Sequence, residues 1–159
     1  MKRTRLRFIW FVTILAVLAG ILLYTRMGST PNIKKKIYSQ WSKEYVVTKD
    51  KLSYIRTTNS KTEDVVLSEA QGYGMVIAVD AAKQGDASSA DFEKLYQYYL
   101  AHRLKDTQLM SWKQTIKDGK SNHEDENNAT DGDLYIAYAL IQAAKQWPDK
   151  AKEYQDQAQ

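Results

Sequence analysis

The chain has 159 residues, no cysteine and a formal net charge of +4. The lack of cysteine excludes a disulfide framework and a thiolate metal centre. Part of the positive charge flanks one apolar segment near the N-terminus, and no basic patch is interleaved with aromatic residues. Nucleic acid is therefore not an expected partner.

The apolar segment covers residues 8–26. Phe8 to Tyr24 is uncharged, and the segment is close to the ~20 residues that a bilayer requires. Residues 1–7 form a basic tail, so the positive-inside rule places that tail in the cytoplasm and the rest of the chain outside the cell. The sequence predicts a single-pass signal-anchor in the cell membrane. A cleaved signal peptide and a secreted product are the alternative.

Residues 27–37 contain glycine, serine and proline and predict a short tether. Ile37, Trp41 and Tyr45 follow with the spacing of an amphipathic helix. Two strand-like runs on either side of Lys49-Asp50 then predict a small β-hairpin. Such a hairpin would cover one end of a helical core.

A second informative stretch reads L-S-E-A-Q-G-Y-G-M and opens another helix. Ser68 is a good cap, and Gly85 marks the end of this helix. Gly72 and Gly74 each cost about 1 kcal/mol relative to alanine inside a helix. Close approach of another helix or of a ligand would explain them. Glu69, taken alone, is most simply an acidic residue favoured by the helix dipole.

The next helix begins with a predicted capping box between Ser88 and Asp91. His102 lies at its C-terminal end and is interpreted as an ordinary helix residue. An apolar stripe indicates that the tyrosines of this helix belong to the core: Phe92, Leu95, Tyr96, Tyr99 and Leu100.

Polar and extended segments connect that helix to the next. Residues 109–113 are expected to be extended, and Asp118-Gly119 to form a turn. Residues 121–128 (SNHEDENN) are expected to form a solvated loop. Their histidine and acidic residues are consecutive and do not share one face, so no metal site is predicted.

The run A-T-D-G-D-L-Y-I-A-Y-A-L-I-Q-A-A-K-Q-W occupies residues 129–147 and predicts a helix that Pro148 ends. Thr130 and Asp133 have the spacing of a capping box. Since one aspartate is enough for the cap, Asp131 is free for another role as an ionised carboxylate. One apolar stripe is predicted to face the core: Leu134, Ala137, Tyr138, Ile141 and Ala144.

This run resembles the signature of glycoside hydrolase family 8 at every position that the signature fixes. The run S-E-A-Q-G-Y-G-M is similar to the other motif of that family, and the two occur in family order. The family includes endoglucanases, chitosanases, xylanases and lichenases, and its fold is an (α/α)6 barrel. The resemblance implies an all-α fold with an incomplete barrel over residues 38–159, the N-terminal portion of the catalytic domain. Twelve helices of ~11–12 residues would need more than 250 residues.

The resemblance further implies inverting, endoglucanase-like hydrolysis of β-1,4-linked polysaccharide or oligosaccharide without a cofactor. Glu69 matches the proton donor, and Asp131 matches the motif carboxylate that would stabilise charge on a distorted sugar. Trp112, Asp133 and Tyr73 are the expected substrate-binding residues, Trp112 because indole offers a large face to a sugar ring. In most family members the water-activating aspartate lies well downstream of the matched region.

Two other interpretations remain open from sequence. One is a truncated, inactive hydrolase that still binds glycan. The other is a membrane-tethered interaction module resembling tetratricopeptide repeats, since residues 137–154 have a helix-turn-helix pattern. Only one such unit is visible, whereas about three are needed for stability.

Overall fold

A computed structural model describes residues 2–57, 62–117 and 120–159. The chain forms two units, residues 1–37 and 38–159. Helix α1 (Lys2–Tyr45) is continuous through the predicted tether. Within it, Leu6–Arg26 has a mean hydropathy of 2.4 and is long and apolar enough to cross a membrane.

The predicted hairpin is confirmed. Strands β1 (Val46–Lys49) and β2 (Leu52–Ile55) pair antiparallel, with Val46 opposite Ile55. Asp50 has φ of 52° in the tight turn between them, a left-handed conformation that aspartate tolerates better than most residues. Strand β2 packs on the helices of the second unit and buries the Tyr54 and Ile55 side chains.

A three-stranded antiparallel sheet was not predicted. Its strands are β3 (Glu63–Leu67), β4 (Lys113–Lys117) and β5 (Lys120–Glu124), in that spatial order. The loop expected over residues 121–128 is therefore wrong for residues 121–124, which belong to β5. Every residue of β5 is exposed, so this edge strand has no apolar alternation by which a strand is recognised. The predicted turn at Asp118-Gly119 lies outside the described residues.

The remaining helices agree with the predicted ones in position. Gly85, with φ of 77°, follows the end of the first of them, and Pro148 ends the third, as predicted. The capping box between Ser88 and Asp91 is confirmed, and His102 caps the C-terminus of its helix. A short 3-10 turn, Pro148–Lys150, precedes the last helix. The helices are α2 (Ser68–Lys83), α3 (Ser89–Ala101), α4 (Thr130–Gln146) and α5 (Ala151–Gln157).

The core of the second unit lies where α2, α3, α4 and α5 meet under the hairpin. Aromatic side chains fill its centre, with the Phe92 and Tyr154 rings edge to face at 5.4 Å and the Tyr96 and Tyr154 rings edge to face at 5.2 Å. The stripe predicted for α3 is confirmed as core at Phe92, Leu95, Tyr96 and Tyr99.

The stripe predicted for α4 is largely wrong. Leu134, Tyr138 and Ile141 are 64%, 51% and 43% exposed, although Ala144 is buried. The helix is apolar on more than one side, so spacing alone could not choose the buried face. The face that packs against α2 is instead built around small residues and two larger ones: Ile136, Ala139, Leu140, Ala143 and Ala144.

Both caps predicted for the functional helices are also wrong. Helix α4 begins at Thr130, and its cap residue Ala129 makes no side-chain capping bond. Helix α2 begins at Ser68 itself, after Leu67. The buried Ser68 hydroxyl has no hydrogen-bond partner among the described residues, and it lies against Gly132 of α4.

Candidate active site

Helices α2 and α4 touch at their N-terminal ends through two glycines. A Cβ atom on Gly72 would lie 2.7 Å from Tyr135 Cβ and 3.1 Å from the Gly132 carbonyl oxygen. A Cβ atom on Gly132 would lie 2.8 Å from the backbone nitrogen of Glu69. The 2.7 Å and 2.8 Å distances are shorter than real Cβ atoms show, so only glycine permits this approach of the two helices. The close helix approach predicted from Gly72 is confirmed.

This contact brings Glu69 and Asp131 to the same end of one helix pair. Each lies in the first turn of its helix, where the positive end of the dipole favours a carboxylate. Glu69 is half-buried and Asp131 is exposed. One Asp131 carboxylate oxygen accepts a hydrogen bond of 2.8 Å from the Gly132 N–H. The two acidic residues thus lie at adjacent helix ends, and the surface at this end of the helix pair is the candidate site.

Trp112 is fixed beside this surface by its backbone. The Ser68 N–H donates to the Trp112 carbonyl at 2.9 Å, and the Trp112 N–H donates to the Asn127 carbonyl at 2.8 Å. Its indole is 37% exposed. The backbone of Trp112 therefore links the N-terminus of α2 to the segment that leads into α4, and leaves part of the ring open to solvent.

Asp133 is bound within the protein. Its Oδ1 accepts a hydrogen bond of 2.9 Å from the Met110 N–H, and its Oδ2 accepts one of 2.8 Å from the Asn128 side-chain amide. Neither bond caps α4. Both connect α4 to the segments on either side of the Trp112–Asn127 contact.

Tyr73 lies one helical turn after Glu69, and its ring centre is 4.2 Å from that of Tyr135. A hydrogen bond with Tyr135, together with some burial and the nearby Glu69 carboxylate, raises the pKa of Tyr73 to about 12. Sequence reasoning missed Tyr135, because the family signature leaves its position open. The available signal was spacing, since Tyr135 follows Asp131 by four residues, as Tyr73 follows Glu69.

Gln71 is a second residue that sequence reasoning missed. It is buried in α2, where its Oε1 accepts from the Ile55 N–H at 3.0 Å. Its Nε2 donates to the Ser53 carbonyl at 3.1 Å and to the Leu95 carbonyl at 2.9 Å. One side chain thereby joins α2 to the hairpin and to α3, and holds the helix that presents Glu69.

His102 lies at the C-terminal end of α3 and contacts strand β5. Its Nδ1 lies 3.1 Å from a Glu124 carboxylate oxygen, and its ring packs on Tyr98 with centres 4.2 Å apart. These contacts join the end of α3 to strand β5, so His102 has a structural role here.

Acidic residues at the ends of paired helices are a feature that this unit shares with helical glycoside hydrolases. Comparison with known proteins agrees, because the family model "Glycosyl hydrolases family 8" matches residues 13–159. The chain belongs to glycoside hydrolase family 8. This membership favours the hydrolase class over a helical-repeat module.

Individual relatives and a solved structure show the same similarity. The chain is 37% identical to a β-glucanase of Niallia circulans over 124 residues, 77% of this chain and 29% of the relative. It is 33% identical to an endoglucanase of Bacillus sp. (strain KSM-330) over 147 residues, 84% of this chain and 31% of the relative. The apo structure of a β-1,3-1,4-glucanase from Paenibacillus sp. X4 superposes with a TM-score of 0.64 at 31% identity. That match covers 82% of this chain and 34% of the other. The chain thus spans about a third of the length of the proteins it matches.

Proposed function

We propose that this chain supplies the general acid of a glycosidase site that cleaves β-1,4-linked glucan. Glu69 donates a proton to the leaving glycosidic oxygen. Asp131 stabilises the positive charge that develops on the distorted sugar ring. The proposal is supported above all by the glycine contact between α2 and α4, which brings the helix ends that carry Glu69 and Asp131 into backbone contact.

The proposed reaction inverts the anomeric carbon. In such a reaction a second carboxylate activates water on the opposite face of the sugar, about 6.5–9.5 Å from the acid. The family resemblance assigns that base to sequence downstream of the matched region. Trp112 would stack on a sugar ring beside the acid, and Tyr73 would contact substrate one turn below it.

Reducing-end release by the full chain tests this function. Soluble β-glucan is the first substrate to assay, since the relatives are named β-glucanase and endoglucanase, with chitosan and xylan in parallel. Glu69→Gln is expected to lower the rate by about 10²–10⁴-fold, because the variant has no proton to donate. Asp149→Asn, an exposed carboxylate in the turn after α4, is the matched control and should keep the wild-type rate. A Glu69→Gln variant with unchanged rate would contradict the assignment.

A second candidate function is glycan binding without turnover. The partly exposed Trp112 favours it, because an indole face can stack on a sugar ring. In that case β-glucan would retard the chain in affinity electrophoresis while no reducing ends appear. Trp112→Ala should then weaken the retardation, whereas Glu69→Gln should not abolish it.

We further propose that Leu6–Arg26 anchors the chain in the cell membrane with residues 38–159 outside the cell. The support is the length and apolarity of this segment and the basic residues before it. A cleaved signal peptide would instead release the chain from the membrane.

A further inference from the structure

The two segments that meet at Trp112 form a small clamp. One segment is residues 110–112 and the other is residues 127–128. Their direct bond is the 2.8 Å contact from the Trp112 N–H to the Asn127 carbonyl. Each backbone hydrogen bond of Trp112, including the one from the Ser68 N–H to its carbonyl, contributes only about 1 kcal/mol, so further bonds add to the definition of its position.

Asp133 holds both segments of this clamp. Oδ1 accepts from the Met110 N–H at 2.9 Å, two residues before Trp112. Oδ2 accepts from the Asn128 amide at 2.8 Å, one residue after Asn127. Hydrogen bonds to an ionised carboxylate are roughly twice as strong as neutral ones. Asp133 is half-buried, so water competes less for these oxygens.

An ionised carboxylate suits the clamp best. Both oxygens of aspartate accept, so both donors are satisfied. An asparagine at position 133 offers only one accepting oxygen, so the exposed Asn128 side chain would have to turn its own amide oxygen toward position 133, and two charge-assisted bonds would become neutral ones. The usual role of an aspartate at a helix start does not apply, since α4 has no side-chain capping bond.

We propose that Asp133 is a positioning residue, which orients the Trp112 indole toward glycan by tying residues 110–112 and 127–128 to helix α4. Asp133 need not touch the sugar itself. The reference to glycan rests on the proposed function, whereas the orientation of Trp112 can be tested without any ligand.

The first test observes Trp112 directly. The full chain is labelled with 5-fluorotryptophan, and the Trp112 fluorine resonance is assigned by its loss in Trp112→Phe. Asp133→Asn should shift and broaden this resonance. The exchanged pair Asn128→Asp/Asp133→Asn should return it toward wild type, because donor and acceptor simply change places while the Met110 N–H keeps its acceptor. Asp149→Asn should leave it unchanged.

The second test measures affinity for barley β-glucan by electrophoresis in gels that contain the polysaccharide. Asp133→Asn is expected to weaken binding about tenfold, close to Trp112→Ala, and the exchanged pair should recover most of the loss. Asp133→Asn in a Trp112→Ala background should cause little additional loss. If Asp133→Asn lowers thermal stability too far, Asn128→Ala removes one bond only and should give a smaller shift of the same resonance.

An unchanged Trp112 resonance in Asp133→Asn, or no recovery in the exchanged pair, would overturn the inference. Failure of the proposed function has a different signature. In that case the wild-type chain binds no glucan, while the fluorine resonance still responds to Asp133→Asn and to the exchange.

Discussion

Gly132 allows the start of α4 to contact the start of α2, where Glu69 lies, because it has no side chain. A methyl group there would meet the Glu69 backbone nitrogen at 2.8 Å and Ser68 Cβ at 2.7 Å. Neither atom can move without displacing the start of α2. A methyl group on Gly74 would also be crowded, since it would meet Cγ1 of the buried, β-branched Ile55 side chain.

Gly132→Ala is therefore expected to destabilise the chain by about 1–3 kcal/mol through overpacking. Gly20→Ala, the control glycine in α1, should leave stability nearly unchanged, since nothing lies within 4 Å of a methyl group at that position. Urea unfolding followed by circular dichroism measures both. Equal losses would show that Gly132 is not needed for the close approach of α2 and α4.

At the scale of elements, Glu93 joins α3 to the C-terminal turn and α5. Its carboxylate accepts from Lys150 Nζ at 2.7 Å, from Gln97 Nε2 at 2.8 Å and from the Tyr154 hydroxyl at 3.2 Å. Burial opposes ionisation of Glu93, but these hydrogen bonds outweigh it and lower its pKa below the ordinary value of 4.5. The stabilisation is therefore present above that pH and is lost as the pH falls through the lowered pKa.

Glu93→Gln should accordingly lower the free energy of unfolding at pH 7 by about 1 kcal/mol or less, because the pair is partly exposed. The difference from wild type should shrink as the pH falls below 4.5 and through the lowered pKa of Glu93. Unfolding curves collected from pH 7 to pH 3 measure it. Asp80→Asn, which removes the more exposed pair with Lys83, should change stability less at every pH. A Glu93→Gln difference that grows on acidification would contradict this account.

Helix α4 offers a second comparison at this scale, between its buried and exposed faces. Leu140→Ala is expected to cost about 2–5 kcal/mol, because the side chain is fully buried and leaves a cavity. Leu134→Ala on the same helix should change stability by about 0.5 kcal/mol or less, since Leu134 is already 64% exposed. Both variants change helix propensity equally, so their difference measures burial alone.

At the scale of the whole molecule, the sequence predicted the elements that have a local signal. The β-hairpin, the box at Ser88 and the helix ends at Gly85 and Pro148 follow from turn and cap chemistry, and the structure has them. The β3–β4–β5 sheet was missed because its edge strand is polar on both faces. The packing face of α4 was missed because helix packing favours close approach of small residues, which hydrophobic periodicity alone does not distinguish.

In the candidate site, too, features with a local sequence signal could be predicted and long-range contacts could not. Glu69 and Asp131 were recognisable as members of two motifs, and the glycine at position 72 indicated a close neighbour. The acceptors that hold the site, Gln71 and Asp133, could not be assigned from sequence. Apart from Asn128, which is 5 residues from Asp133, their partners lie 16 to 24 residues away in the chain, and only the folded topology brings them together.

The location of the whole chain can be tested through its N-terminal segment. An anchored chain should stay with the membrane fraction after extraction at alkaline pH, and its first residues should be recovered by N-terminal sequencing. Replacing Leu15, Leu18 and Leu22 by lysine should release it, because each charge in the bilayer centre costs about 2.5–3.5 kcal/mol. A product that begins after residue 26 would establish cleavage instead.

The exposed side of α4 has a consequence for the cell that produces this chain. A contiguous strip of apolar side chains on α4 is exposed to solvent: Leu134, Tyr138 and Ile141. Chaperones and proteases recognise such strips during synthesis and export, and exposed apolar surface favours association between copies of the chain. Abundance in vivo therefore depends on how quickly that strip is covered or removed from water, even when the core beneath it is fully folded.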